Sequence, residues 1–298
     1  MTTSKTKIGL IGVGLMGHGI ASNVLKHGYP MTLLHHPGNR PVDDLLAAGA
    51  TMQSSPAAVG SNADIVILCL TGTPQVEDVL YKKGGLLEGI ANGVIVIDCS
   101  TAIPSSTVKI AKAVSAAGGF FLDAPMTRTP KEAAEGRLNL IVGGDRALYM
   151  RCLPILQCFA ENIVLAGSVS SGHQMKLIHN FVSLGFSAVL AEAAAYVQRA
   201  EISPEILLEI LSKGGGDGVV LNRLRPYIES QDNSGFRFSL SNALKDMTYY
   251  TTMAKEMGAQ CTAAEAIRKT YEYGTQKNAE ASVPELISIL AGSVDIER

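Results

Sequence analysis

The sequence has no excess of charge of either sign: 25 Lys and Arg stand against 27 Asp and Glu, a formal net charge of −2. Without a basic field there is little to attract a phosphate backbone, so nucleic acid is not an expected partner. No block of like charge reads as a solvated tail. The five cysteines, at 69, 99, 152, 158 and 261, form no CxxC pair, and nowhere do His, Cys, Asp and Glu fall at metal-ligand spacing. That argues against a zinc or dithiol motif and makes free thiols in a reducing, cytoplasmic setting the expectation. Low charge is not disorder, because 47% apolar against 17% charged residues supplies a core. Lys5 and Lys7 precede an uncharged stretch from Ile8 to Leu25, but the five glycines within it make a poor signal-peptide core. No other run suits a membrane span, so no membrane partner is expected.

At 298 residues the chain is long enough for about two domains. Its first half alternates short apolar runs with segments of helical length. Strands are expected at 7–11, 30–34, 65–70, 94–97, 120–123 and 138–142, with a further one at 163–165. Helical patterns at 14–27, 41–48, 75–80 and 105–117 lie between them, the spacing of βαβ units in a mostly parallel sheet. After Leu165 the strands stop. Leu177, Phe181, Leu184, Ala188, Ala191 and Ala195 recur at intervals of three and four, which predicts one long helix over 172–200. Its uncharged stretch from Leu177 to Ala191 implies burial on most sides. Further helices are expected at 204–212, 222–229, 243–257, 263–274 and 283–291. The chain therefore reads as an α/β domain over 1–166 and an all-α domain over 167–298, joined by the long helix. So buried a helix needs partners, and a homo-oligomer, dimer or tetramer, is expected.

Gly12-Val13-Gly14-Leu15-Met16-Gly17 directly follows the first strand and opens a helix. Gly12 permits the tight turn, Gly14 lets the backbone approach a pyrophosphate, and Gly17 lets the helix pack close on the strand. Alone, a GxGxxG is weak. Between a legible strand and helix, with a second strand at the right distance, it reads as the dinucleotide-binding turn of a Rossmann-type domain. An NAD site usually offers Asp or Glu at the end of that second strand for the ribose 2′-hydroxyl. Here the segment is His35-His36-Pro37-Gly38-Asn39-Arg40. No carboxylate stands at the tip, and Arg40 with His35 and His36 suits a 2′-phosphate. NADP is expected over NAD, with Arg40 as a solvated loop residue the competing reading. Asp43 and Asp44 open the next helix as N-terminal charges.

Four further motifs stand along the chain. They are Asp98-Cys99-Ser100-Thr101 with Pro104, then Asp123-Ala124-Pro125 followed by Gly136 and Val142-Gly143-Gly144. Gly172-x-x-x-Lys176-x-x-His179-Asn180 lies on the long helix, and Phe236 with Lys245-Asp246 comes ahead of another. Together with the glycine turn they make the chain resemble the β-hydroxyacid dehydrogenases. That family includes 3-hydroxyisobutyrate dehydrogenase, tartronate semialdehyde reductase and sulfolactaldehyde reductase. The resemblance runs from Ile8 to about Ala291. It implies a nicotinamide-binding domain followed by an all-α domain, with the active site between them. It further implies cofactor contacts from Gly12–Gly17, His35, His36, Arg40, Leu70, Thr71 and Lys245. Ser100, Thr101, Thr127, Arg128 and Asn180 would meet the substrate, and Lys176 would be catalytic.

The residues themselves leave alternatives. Ser100, Thr101 and Ser105 also read as helix N-caps, and Lys176 as a lysine snorkelling at a helix edge. A nearly buried lysine, however, loses hydration and gives up its proton more readily, and Asn180 at i+4 shares its face. The expected role of Lys176 is to take the hydroxyl proton as hydride leaves for the nicotinamide, or to supply it in aldehyde reduction. Two positions depart from the family pattern. His179 stands where a second Asn is common, and packing in the core is the preferred reading over a hydrogen bond behind Asn180. Met126-Thr127-Arg128-Thr129 replaces the usual Ser-Gly-Gly run. Arginine suits planar and tetrahedral anions, so a small hydroxy acid or aldehyde acid with a carboxylate, sulfonate or phosphate end is expected. Arg128 turned outward to solvent is the alternative. After the glycine-rich loop Lys213–Gly218, Val219 stands near the place of a family aromatic. A non-catalytic nucleotide-binding regulator would not need Lys176, Asn180 and the 98–101 turn together. Imine reductases on the same scaffold commonly replace the lysine.

Overall fold

The computed structural model describes residues 5–292. The chain forms two compact units, Met1–Lys176 and Leu177–Arg298. The first runs β1 (Ile8–Ile11), α1 (Leu15–Lys26), β2 (Met31–Leu34), α2 (Asp43–Ala47), β3 (Thr51–Gln53), α3 (Pro56–Ser61), β4 (Ile65–Leu68), α4 (Thr73–Tyr81) and α5 (Leu86–Gly89). It continues through β5 (Ile95–Asp98), α6 (Pro104–Ala116), β6 (Phe120–Asp123), β7 (Met126–Thr127), α7 (Pro130–Glu135), β8 (Leu138–Gly143), α8 (Arg146–Leu156) and β9 (Ala160–Gly167). The helix α9 (Ser171–Arg199) then carries the chain into the second unit. There it forms α10 (Pro204–Ser212), α11 (Val219–Ser230), α12 (Leu240–Glu256), α13 (Thr262–Lys277) and α14 (Leu286–Gly292), with 3-10 turns at Asn233–Phe236 and Val283–Glu285.

The strands line up as β3-β2-β1-β4-β5-β6-β8-β7, with β9 beside β8. From β3 to β6 every pairing is parallel, whereas β8 runs antiparallel to β6 and β7. The sheet is thus mixed, and its parallel part has the doubly wound order. In that order a nucleotide binds outside the carboxyl ends of the strands, where β1 and β4 diverge. β1, β2, β4 and β5 are buried along their whole length. Successive side chains feed two cores: Ile65 and Ile67 enter one, Val66 and Leu68 the other. Burial on both faces explains why these segments read as unbroken apolar runs.

In the second unit, Leu184, Ala188 and Ala191 of α9 pack with Leu221, Leu224, Met247, Tyr271 and Leu286. The Tyr271 hydroxyl, fully buried, donates to the Leu184 carbonyl at 2.8 Å, which satisfies a polar group that would otherwise be costly to bury. Within the single chain the burial expected on most sides of α9 is only partial. Ile178, Val182, Val189 and Tyr196 are exposed by 40–70%, and intervals of four and seven put them on one face. Lack of charge in this segment reflects small residues on the packed side and an apolar row on the other. By length and composition α9 also passes as a membrane span, contrary to the expectation, although half of its most apolar stretch is buried within the protein.

Candidate active site

The glycine turn is built as a cradle. Gly12 has φ +101°, and a Cβ there would lie 2.2 Å from the Cys69 carbonyl oxygen. A Cβ on Gly17 would lie 1.9 Å from the Gly12 oxygen, whereas one on Gly14 would meet nothing within 4 Å among the described residues. Gly14 is the N-cap of α1, with no side-chain cap and no acidic residue in the first turn. A free helix N-terminus beside open space fits a pyrophosphate. The following loop is tied to this turn: the Arg40 amide donates to the Val13 carbonyl at 2.8 Å. Asn39, to which sequence reasoning gave no role, accepts from the Val13 amide at 3.3 Å and donates to the Leu34 carbonyl at 2.9 Å. Arg40, His35 and His36 are exposed, and no carboxylate stands at the end of β2. The Asp44 carboxylate lies 3.1 Å from the His18 ring on α1.

At the ends of β5 and β6, Asp98 and Asp123 are register partners and both are 0% exposed. The Ser100 amide donates to Asp98 Oδ1 at 2.9 Å, which folds the turn back on the strand. Ser100 Oγ in turn accepts from the Leu70 amide at 3.0 Å. Its oxygen accepts there, and among the described residues its own proton meets no acceptor. Thr71 is exposed and Thr101 half-buried. Asp123 accepts from the amides of Ser170 and His173 at 2.8 and 2.9 Å, across the start of α9. Burial pushes its pKa up, opposed by the His173 ring and these amides. Burial, then the charge of Asp98, pushes the Cys69 thiol up to about 12.

Thr127 repeats the logic of Ser100. Asn162 donates to Asn139 Oδ1 at 2.9 Å, and Asn139 donates to Thr127 Oγ1 at 3.0 Å. This oriented chain leaves the Thr127 hydroxyl as a donor. Asn139 was not legible as a site residue, because its role depends on the pairing of β7 with β8. Arg128 has φ +80°, left-handed backbone on a residue with a long side chain. Its guanidinium bonds the Arg137 carbonyl and the Glu161 carboxylate, so it is held by the protein rather than turned out to open solvent. Thr129 and Glu132 form a capping box at the start of α7. Asn23 of α1 donates to the Ala133 and Ala134 carbonyls at 3.0 and 3.1 Å, locking α7 down.

Lys176 is half-buried on α9, one turn before Asn180. Asn180 is buried, and its Nδ2 donates to Asp246 Oδ2 at 2.6 Å. The Nδ1 of His179 lies 3.0 Å from Asn180 Oδ1. His179 is therefore exposed and holds Asn180, and the core-packing reading is corrected. Lys245 Nζ lies 3.1 Å from Asp246 Oδ1 and 5.4 Å from the centre of the Tyr249 ring. Val219 is exposed at the start of α11. Sequence reasoning saw Asp246 only as part of a motif; its grip on Asn180 joins residues 66 apart.

Residues 7–167 match the model described as the NAD binding domain of 6-phosphogluconate dehydrogenase. Residues 170–289 match the NAD-binding domain of NADP-dependent 3-hydroxyisobutyrate dehydrogenase. The chain belongs to the 3-hydroxyisobutyrate dehydrogenase-like family of β-hydroxyacid dehydrogenases. Members of this NAD(P)-binding oxidoreductase family match it almost end to end. YkwC of Bacillus subtilis, an uncharacterized oxidoreductase, is 30% identical over 90% of this chain and 92% of its own. The glyoxylate/succinic semialdehyde reductase 2 of Arabidopsis thaliana is 29% identical over 89% and 74%. The human cytokine-like nuclear factor N-PAC is 30% identical over 91% of this chain, which spans only about half (49%) of that relative. Among solved structures, Mycobacterium tuberculosis 3-hydroxyisobutyrate dehydrogenase with L-serine superposes with a TM-score of 0.84 at 22% identity, covering 96% and 99% of the two chains. Psf3 in complex with NADP+ and 2-OPP gives 0.81 at 23%, covering 95% and 99%.

Proposed function

We propose that this β-hydroxyacid dehydrogenase family member interconverts a short anionic β-hydroxy acid and its aldehyde acid with NADP(H), Lys176 moving the hydroxyl proton. The nicotinamide, when bound, supplies the hydride acceptor or donor. The observation that carries the reading is the arrangement on α9: Lys176 stands one turn before Asn180, whose amide is fixed by Asp246 and His179. In oxidation the Lys176 amine accepts the hydroxyl proton, while the second N–H of Asn180 donates to the same oxygen. Ser100 and Thr127 each accept from a neighbour and so offer their protons to an anion. Thr101 adds a hydroxyl beside Ser100. Arg128 exchanges the Glu161 carboxylate for that of the substrate. Gly12–Gly17 hold the pyrophosphate, Leu70, Thr71 and Lys245 complete the cofactor contacts, and Arg40 with His35 and His36 meets the 2′-phosphate. The exposed apolar row on α9 supports self-association as a homodimer or homotetramer.

The test is a panel of short hydroxy acids with carboxylate, sulfonate or phosphate ends, each with NAD and NADP. At least one should be oxidised, faster with NADP; no turnover on the whole panel would end the enzymatic reading. Arg40→Ala should raise the KM for NADP about tenfold, the size of one charge-assisted hydrogen bond, and leave that for NAD nearly unchanged. Equal effects on both nucleotides would remove Arg40 from the 2′-phosphate. The similarity to N-PAC, named a nuclear factor, favours one second reading, a nucleotide-binding regulator. Tight NADPH binding without any turnover would select it.

A further inference from the structure

Asn23 lies on α1 beyond the glycine turn, buried, and none of the steps above uses it. Its Nδ2 lies 2.9 Å from the Gly19 carbonyl oxygen, 3.0 Å from that of Ala133 and 3.1 Å from that of Ala134. Three carbonyl oxygens would repel the amide oxygen, so the amino group faces them and donates. Ala133 and Ala134 belong to the last turn of α7, where helix carbonyls run out of partners in their own helix. One turn earlier on α1, Gly19 meets the same place without a side chain. A Cβ there would lie 2.5 and 2.6 Å from the Ala133 carbonyl carbon and oxygen, and 2.7 Å from the Ala134 nitrogen. No side chain fits between these backbones, so α1 and α7 touch main chain to main chain.

What this contact places is the segment just before α7. Six residues, Pro130–Glu135, are too few to hold a helix in water, so α7 stands where its neighbours put it. Its start is joined stiffly to Arg128. Pro130 opens the helix with a fixed φ, and the Thr129 amide donates to Glu132 Oε2 at 3.0 Å within the capping box. Just past its end, the Arg137 carbonyl accepts from the Arg128 guanidinium. Thr127 has a second anchor, its pairing with Asn139 on β8, but the ladder stops there. Arg128, with its left-handed backbone, lies outside the ladder and follows α7.

We infer that Gly19 and Asn23 are positioning residues, which seat α7 on the cofactor helix and so set where Arg128 offers its guanidinium relative to the glycine turn. The consequence for turnover rests on the roles given above to Arg128 and Gly12–Gly17; the seat itself does not. With the anionic end of the substrate on Arg128 and the nucleotide on the turn, α1 becomes the ruler between the reacting atoms, where a small misplacement is costly. Asn23→Leu keeps the size and removes the donors, and Gly19→Ala adds one methyl between the backbones. Hydrogen exchange of the full chain needs no substrate. In either variant the Ala133, Gly136 and Arg137 amides, bonded in and around α7, should exchange about tenfold faster, while those of β1, β4 and β5 hold their rates. Faster exchange throughout the unit, or none, would overturn the inference. With the best substrate of the panel, each folded variant should lose kcat/KM about 10- to 100-fold with the NADPH dissociation constant little changed. In an Arg128→Gly background the same substitutions should cost far less, because no guanidinium is left to aim. Undiminished kcat/KM, a matching loss of NADPH affinity, or losses that add fully in the double variants would refute the positioning role. If Arg128→Gly alone changes no KM in the panel, the anion reading is what fails, and failure of the whole panel refutes the enzymatic reading; the exchange rates still decide the seat.

Discussion

Arg128 holds the Glu161 carboxylate from a backbone with φ +80°. A side chain with a Cβ in the left-handed region costs about 1–2 kcal/mol, which glycine at the same place avoids. The ion pair with Glu161 is half-exposed and offsets little of that. Arg128→Gly should therefore leave Tm unchanged or raise it slightly, while shifting preference among carboxylate, sulfonate and phosphate ends. A uniform change across the three ends, or a marked loss of Tm, would remove Arg128 from anion recognition. The sequence shows a guanidinium where the family has glycine, but the backbone strain and the Glu161 carboxylate emerge only when β7, β8 and β9 are assembled. Asn23 was missed for a related reason: an asparagine inside a helical pattern carries no signal until Ala133, 110 residues on, is seen against it.

Elements were legible in proportion to their burial. β1, β2, β4 and β5 stand out as apolar runs because both their faces are covered, and α10 falls at the residues expected, Pro204–Ser212. β3, α3, α5, β7, α7 and α8 were not foreseen. β3 and β7 have three and two residues, too few for any period, and exist because a neighbouring strand offers hydrogen bonds. β9 runs from Ala160 to Gly167, longer than expected, because several of its side chains are exposed and leave no apolar run. The glycine turn was the clearest signal, since Gly12 and Gly17 each answer to a steric demand. Gly17→Ala sets a Cβ against the Gly12 carbonyl oxygen, so the helix must move off the strand. We expect a loss of about 2–3 kcal/mol and of most NADPH affinity, read by Tm and fluorescence titration. Unchanged affinity would show that α1 does not need that close approach.

For the molecule as a whole, the expectation of a mixed chain, α/β then all-α, matches the observed order of elements. The apolar residues of α9 divide between two faces. Ile178, Val182, Val189 and Tyr196 form a row exposed in the single chain, and such rows are characteristic of association surfaces. Val182→Glu with Val189→Glu should reduce the sedimenting mass to that of a monomer without loss of secondary structure; a wild type already monomeric at micromolar concentration would contradict this. Turnover is expected to depend on the amine of Lys176, which chemical rescue of a truncated side chain probes. Lys176→Ala should lower kcat at least 100-fold, and small primary amines added to the variant should restore turnover in proportion to the concentration of their free-base form. A Lys176→Ala variant that keeps full turnover, or one crippled yet indifferent to added amine, would contradict proton transfer through this residue.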